Sequence, residues 1–174
     1  MKIYKLNADP DNYKGCFITH TKLSDNDLDK ISTGEPLNFC DGSISFRFAD
    51  KEGLKYGDAF NCWDFCGFLI NDRTREIFSK NEKINAQFIK FEDNINLLNN
   101  LQLVDALDAE KTEFEYFETD IVGVNKYVFK EMDFPPLFQL TLPNGYAEIF
   151  YFVTDEFIKL VNENNIKGFL FKEM

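Results

Sequence analysis

Residues 138–153, FQLTLPNGYAEIFYFV, decide the fold. Phe138 to Leu142 and Tyr146 to Val153 are two apolar strands, and Pro143-Asn144-Gly145 between them reverses the chain. Asn-Gly tolerates positive φ, so the sequence predicts a type I′ turn, whose twist suits antiparallel strands. Phe150 and Phe152 alternate with Tyr151, which predicts a strand near the centre of its sheet. Pro135-Pro136 holds the approach to this hairpin extended.

Working outward, Tyr151-Phe152-Val153 runs into Thr154-Asp155, a helix to about Asn164 and a strand over Gly168 to Phe171. The same order occurs upstream. Phe68-Leu69-Ile70 leads into an Asn71-Asp72 cap, a helix to about Lys80 and a strand over Ala86 to Phe91. Both helices carry paired apolar residues, Ile77-Phe78 and Leu160-Val161, and the caps are spaced by 83 residues. Two explanations stand open, a repeated strand–helix–strand unit and chance likeness between common units. The first third is loop-rich. In it Ser24 caps a helix to Ile31, with Asp25 and Asp27 in the first turn and Gly34 beyond its end. Ser43 to Phe48 alternates and predicts a half-buried strand. The pairs Asn99-Asn100 and Asn164-Asn165 read as turns and helix ends. Together these predict an α+β fold: an antiparallel or mixed sheet with a few short helices.

A chain of 174 residues predicts one domain, 1–174, and a hydrophobic share of 44% excludes wholesale disorder. With 30 acids against 19 bases the net charge is −11, which disfavours binding to nucleic acid or to an anionic membrane surface. The start, MKIYKLNADPDNYKG, lacks the apolar core of a secretory signal, and the longest apolar run is the five residues Ile149 to Val153. The expectation is a cytoplasmic protein with its four cysteines as buried thiols.

Cys62 and Cys66 in CWDFC lack the second close pair that structural zinc uses, because Cys16 and Cys40 are isolated. His20 is the one histidine, and no spacing sets it beside a thiol. Asp25, Asp27 and Asp29 begin like a calcium loop, but Lys30 and Pro36 stand where the loop needs Gly and Glu. Phosphate-binding glycine loops, HExxH and GxSxG are absent. The sequence therefore predicts no metal, no cofactor and no catalytic residue.

The sharpest shift in composition is Asp105 to Asp120, DALDAEKTEFEYFETD, with seven acids and one lysine. Its net −6 is more than half the chain's charge. If Glu113 to Tyr116 is extended, Phe114 and Tyr116 anchor it on the core while Glu113 and Glu115 face outward. Such a face is either a solubilising surface or one that meets a basic partner. A metal or acid–base site needs converging carboxylates, and these fan out. The residues singled out for partner binding are Asp108, Glu110, Glu113, Glu115 and Glu118.

Leu103 to Glu113, with Asp105, Asp108, Glu110 and Thr112, resembles the vDalD-x-E-x-S segment of a family of bacterial immunity proteins from polymorphic toxin systems, also named after a Myxococcus immunity protein. Lys126-Tyr127-Val128-Phe129 with Leu137-Phe138-Gln139-Leu140 is similar to that family's k-h-v-h … iFrL segment. Phe152 to Phe157 with Asn165 to Phe171 resembles its close, and Asp64-Phe65 with Phe68 to Asn71 a segment upstream. The likeness covers about residues 60–174; residues 1–59 match weakly. Thr112 stands where the family often has Ser, and Gln139 where it often has Arg. The resemblance implies a protein that binds and silences a cognate toxin without chemistry of its own. An interaction module unrelated to toxins, and an enzyme acting on a small molecule or a modified protein, remain alternatives. The sequence leaves a homo-oligomer open.

Overall fold

The computed structural model describes residues 1–21, 24–38, 44–49, 52–62, 67–92 and 94–174. Its elements run in the order β1 (Ile3–Ala8), β2 (Cys16–Thr21), α1 (Asp25–Thr33), β3 (Ile44–Phe48), β4 (Ala59–Asn61), β5 (Phe68–Ile70), α2 (Asp72–Ser79), β6 (Ala86–Glu92), β7 (Ile95–Asn100), β8 (Leu103–Val104), β9 (Glu113–Phe117), β10 (Asp120–Lys126), β11 (Leu137–Thr141), β12 (Ala147–Thr154), α3 (Asp155–Glu163) and β13 (Phe169–Glu173). The fold is α+β, strand-rich, with three short helices among the described residues.

The helices begin where local chemistry starts them. The Ser24 hydroxyl accepts from the Asp27 amide and the Asp27 side chain accepts from the Ser24 amide, a reciprocal cap that also holds the Asp27 carboxyl below its usual range. The Asn71 side chain accepts from the Thr74 amide at 2.8 Å and starts α2. In the first turn of α3, the Asp155 carboxylate accepts from the Lys2 amide, which fastens the start of β1 to this helix.

The two large sheets have the strand orders β4-β5-β7-β6 and β13-β1-β12-β11-β8, and β2–β3 and β9–β10 each form a two-stranded sheet. In the first, β5 and β6 both run antiparallel to β7, so they are parallel to each other with α2 as the crossover. In the second, β12 and β13 stand in the same relation to β1, with α3 as the crossover. β4 flanks β5 as β11 flanks β12, antiparallel in both cases. The strand–helix–strand likeness thus extends to a β-β-α-β-β unit occurring twice. The second unit takes its last strand from the chain's N-terminus. Residues 1–59 accordingly divide between the two sheets.

The sheets and crossover helices share a core. Phe78 of α2 meets Phe157 of α3 at 5.1 Å between ring centroids, and Phe68 of β5 meets Phe169 of β13 at 5.5 Å. Burying each such ring contributes roughly 1.5–3 kcal/mol. The Tyr151 hydroxyl donates to the Leu98 carbonyl at 3.2 Å and accepts from the Asn100 amide at 3.3 Å, joining β12 to β7. Asp58 is a second joint. Its carboxylate accepts from Asn71 Nδ2 and from the Lys167 amide, while the Lys167 carbonyl accepts from the Asp58 and Ala59 amides. The outer face of the first sheet is covered by α1, β2 and β3 around Ile31, Ile44 and Phe91. That of the second is covered by residues 127–134 and the β9–β10 hairpin around Phe138, Leu140 and Phe152.

Two local expectations are corrected. The turn at Pro143-Asn144-Gly145 is not type I′: Gly145 has φ 86, but Asn144 is not among the positive-φ residues. The Gly145 amide donates to the Leu142 carbonyl and the Leu142 amide to the Tyr146 carbonyl. That is a three-residue loop, a type I turn followed by a left-handed glycine, because Pro143 fixes its φ near the type I value. Asn99-Asn100 is no turn either. Both residues lie fully buried in β7, where Asn99 donates to the Glu35 carbonyl and Asn100 to the Gln102 carbonyl. Asn164-Asn165 does end α3.

Candidate functional site

The acidic stretch folds as the β9–β10 hairpin. Its register pairs Phe117 with Asp120, Tyr116 with Ile121, Phe114 with Val124 and Glu113 with Lys126, with two bulges on β10. Glu118 and Thr119 form the turn, and Glu118 takes φ 56. Phe114 packs half-buried on the outer core of the second sheet, as expected. Tyr116 does not anchor the strand: it is 59% exposed, because the hairpin runs beyond the edge of that core. Phe117, on the opposite strand face, is 70% exposed.

The five acids singled out from the sequence separate into two groups. Asp108 lies at the hairpin's base, where its carboxylate accepts from Lys111 Nζ at 2.7 Å and from the Glu110 amide. The lysine hydrogen bond holds its carboxyl below the usual range. Its carbonyl accepts from the Thr112 amide, and the Thr112 hydroxyl both donates to the Val128 carbonyl and accepts from the Val128 amide. The Asp108–Thr112 motif is thus a clip that fastens this loop to the segment following β10, and a serine hydroxyl would serve it equally. Glu110 is exposed on the same loop. Glu113 pairs with Lys126 at 3.4 Å. Glu115 and Glu118 are exposed and form no ion pair among the described residues; Asp120 joins them at the tip.

A second hairpin completes the tip. Asn144 Nδ2 donates to the Ile121 carbonyl at 2.8 Å, setting the β11–β12 turn against β10. Tyr146 on that turn is 70% exposed, and Val122 is exposed on β10. Tyr116 is thus exposed on one face of the hairpin and Phe117 on the other, with Val122 on β10, Tyr146 on the neighbouring turn and the acids Glu115, Glu118 and Asp120 on the same hairpin. This set was missed from the sequence. One signal was available: in EFEYF only one strand face can bury its aromatics, so Phe117 had to point away from Phe114 and Tyr116.

Beneath the hairpin's base lies a buried acid. Glu148, 4% exposed, accepts from the Tyr127 hydroxyl at 3.4 Å, and its carbonyl accepts from Gln139 Nε2. Burial pushes its carboxyl above the usual range against the opposing pull of Lys5. Burial likewise raises Tyr127 and lowers Lys5, whose ammonium lies over the Phe150 ring. Too enclosed to meet a substrate, this group ties β12 to the segment after β10.

His20 is exposed on β2, and Asp25, Asp27 and Asp29 lie on α1, where Asp27 serves the cap. Cys16 and Cys62 are buried in adjacent strand positions. Cys40, Cys66 and the Asp64-Phe65 pair lie outside the described residues. A hollow of about 150 Å³, walled by Ala8, Asp9, Tyr13, Ala49, Leu54 and Gly168, is smaller than the usual small-molecule pocket, roughly 300–1,000 Å³. No described helix is long and apolar enough to cross a membrane. The chain matches no protein-family model, and no characterised protein is significantly similar to it.

Proposed function

We propose that this protein is a cytoplasmic immunity protein: it binds a cognate bacterial toxin stoichiometrically and silences it by occupancy, without a cofactor or chemistry of its own. The observation that carries this reading is the hairpin tip, where exposed Tyr116, Phe117 and Tyr146 stand among Glu115, Glu118 and Asp120. Aromatic anchors within a charged rim are the anatomy of a protein interface. Large exposed rings give contact area at low entropic cost, and the acids favour a toxin with a basic surface by steering its approach. The resemblance of residues 103–113, 126–129, 137–140, 152–157 and 165–171 to immunity proteins motivates the same reading.

The test begins with the genes adjoining this one: a toxin gene found there is co-expressed with this chain, followed by association kinetics on the purified pair. Reversing Glu115 and Glu118 to Lys should slow association at least tenfold at low salt and less at high salt. Phe117→Ala should speed dissociation, since central aromatics often contribute about 2 kcal/mol or more. Wild-type kinetics in both variants would refute the tip as the interface, and absence of protection by the wild-type chain would refute the immunity reading itself.

A further inference from the structure

The β13 edge of the five-stranded sheet differs from the other edges of the two large sheets, and no described residue pairs with its outer side. β13 pairs with β1 over Phe169 to Glu173 without a bulge. The Met174 amide donates to the Ile3 carbonyl and the Asp9 amide to the Gly168 carbonyl. These two bonds fix the parity of the ladder: Leu170 and Lys172 turn their backbone groups toward β1, while Phe169, Phe171 and Glu173 turn theirs outward. Phe169 and Phe171 pack their rings against Phe157 of α3, which fixes the strand against the core. The other edges of the two large sheets are interrupted. β8 is two residues long, β6 is bulged between Lys90 and Glu92, and β4 is capped by the Lys167 carbonyl. A regular uncovered edge is a template for another strand.

We propose that β13 pairs antiparallel with β13 of a second copy of this chain, about a two-fold axis through Phe171, joining two five-stranded sheets into one. The edge is self-complementary in that register. The outward groups of Phe171 meet their own counterparts, and those of Phe169 meet those of Glu173. Leu170, 49% exposed, comes to lie against the aliphatic stem of the second copy's Lys172, and the exchange occurs twice. The hairpin tip flanks β11 and β8 at the far end of the strand order, so each copy keeps its tip free.

The contact is small and each chain carries −11, so association is weak and tightens with added salt. Sedimentation velocity on the full chain should show the mass doubling between about 10 µM and about 1 mM at moderate salt. Glu173→Pro removes an outward amide while keeping the bonds that Leu170 and Lys172 make to β1, and should weaken dimerisation at least tenfold. Amide exchange on the wild-type chain is the independent readout. Phe169, Phe171 and Glu173 should become protected only at the higher concentration, while Leu170 and Lys172 are protected throughout. A monomer at about 1 mM in high salt, or a dimer with those three amides still exchanging freely, would overturn the proposal. Neither result bears on toxin binding.

Discussion

Gly168, just before β13, lies against the backbone of β4 in the other large sheet, and replacing it with alanine tests whether that approach holds the fold together. A Cβ at this position would lie 2.2 Å from the Ala59 carbonyl oxygen and 3.1 Å from its carbon, both backbone atoms of β4. Backbone cannot swing aside as a side-chain tip can. The residue also takes φ 109, where an L-residue is strained. The strain amounts to about 1–3 kcal/mol and the overpacking to about 1–3 kcal/mol, so Gly168→Ala should cost roughly 2–6 kcal/mol. Against a usual domain stability of about 5–15 kcal/mol, that is enough to leave the variant partly unfolded at 37 °C. Gly145→Ala is the control. Its φ of 86 is comparably left-handed, but nothing lies within 4 Å of the added carbon, so it should lose only the conformational part, about 1–2 kcal/mol. Urea denaturation followed by far-UV circular dichroism gives both values. Equal losses in the two variants would refute the close approach of Gly168 to β4 and, with it, the Lys167 bonds that join β4 to the second unit.

Glu148→Gln tests the buried acid. Because burial raises the folded-state carboxyl, the unfolded state ionises first, and stability falls as pH rises from the ordinary 4.5 through the raised value. The variant should gain on the wild type between pH 4 and pH 7 in urea midpoint, and an equal offset at both pH values would contradict this. Glu118→Gly relieves the φ of 56 in the hairpin turn and should raise stability by up to about 1 kcal/mol, read as slower amide exchange across β9 and β10. Thr112→Ser should be close to neutral because either hydroxyl reaches Val128, whereas Thr112→Val should cost about 1–3 kcal/mol in thermal or urea unfolding by leaving those backbone groups unpaired.

What was legible in the sequence was local. α1, α2 and α3 were readable because Ser24, Asn71 and Asp155 mark their starts within a few residues of the apolar positions they serve. The β11–β12 hairpin was readable because its turn is contiguous. β1 was not: its partners, such as Thr154 opposite Ile3, lie at the far end of the chain, and no local pattern signals insertion between β12 and β13. Asn99 and Asn100 misled for the same reason, since the groups that let them be buried belong to Glu35 and Gln139. At the candidate site the acids were visible as composition. The aromatic surface was not, because Tyr146 arrives from another hairpin and Tyr116 is exposed by where the core ends.

The two β-β-α-β-β units supply a frame, and the additions that differ between them supply its surfaces. Over the first unit, α1, β2 and β3 bring Ile31 and Ile44 fully into the core. Over the second, β9 brings only a half-buried Phe114 and leaves Tyr116 and Phe117 in water. A covering hairpin selected for stability alone would turn those rings inward or replace them with polar residues, since exposed aromatics contribute little to folding and promote association. The Asn144–Ile121 bond holds the tip in place, and the packing of the fold gives no reason for these rings to be exposed there; the proposed toxin contact would give one. The same reasoning separates the tip from β13. There the side chains facing the core are packed and the outward groups belong to the backbone, so the proposed contact at the tip would depend on side chains and the proposed pairing at the edge on register.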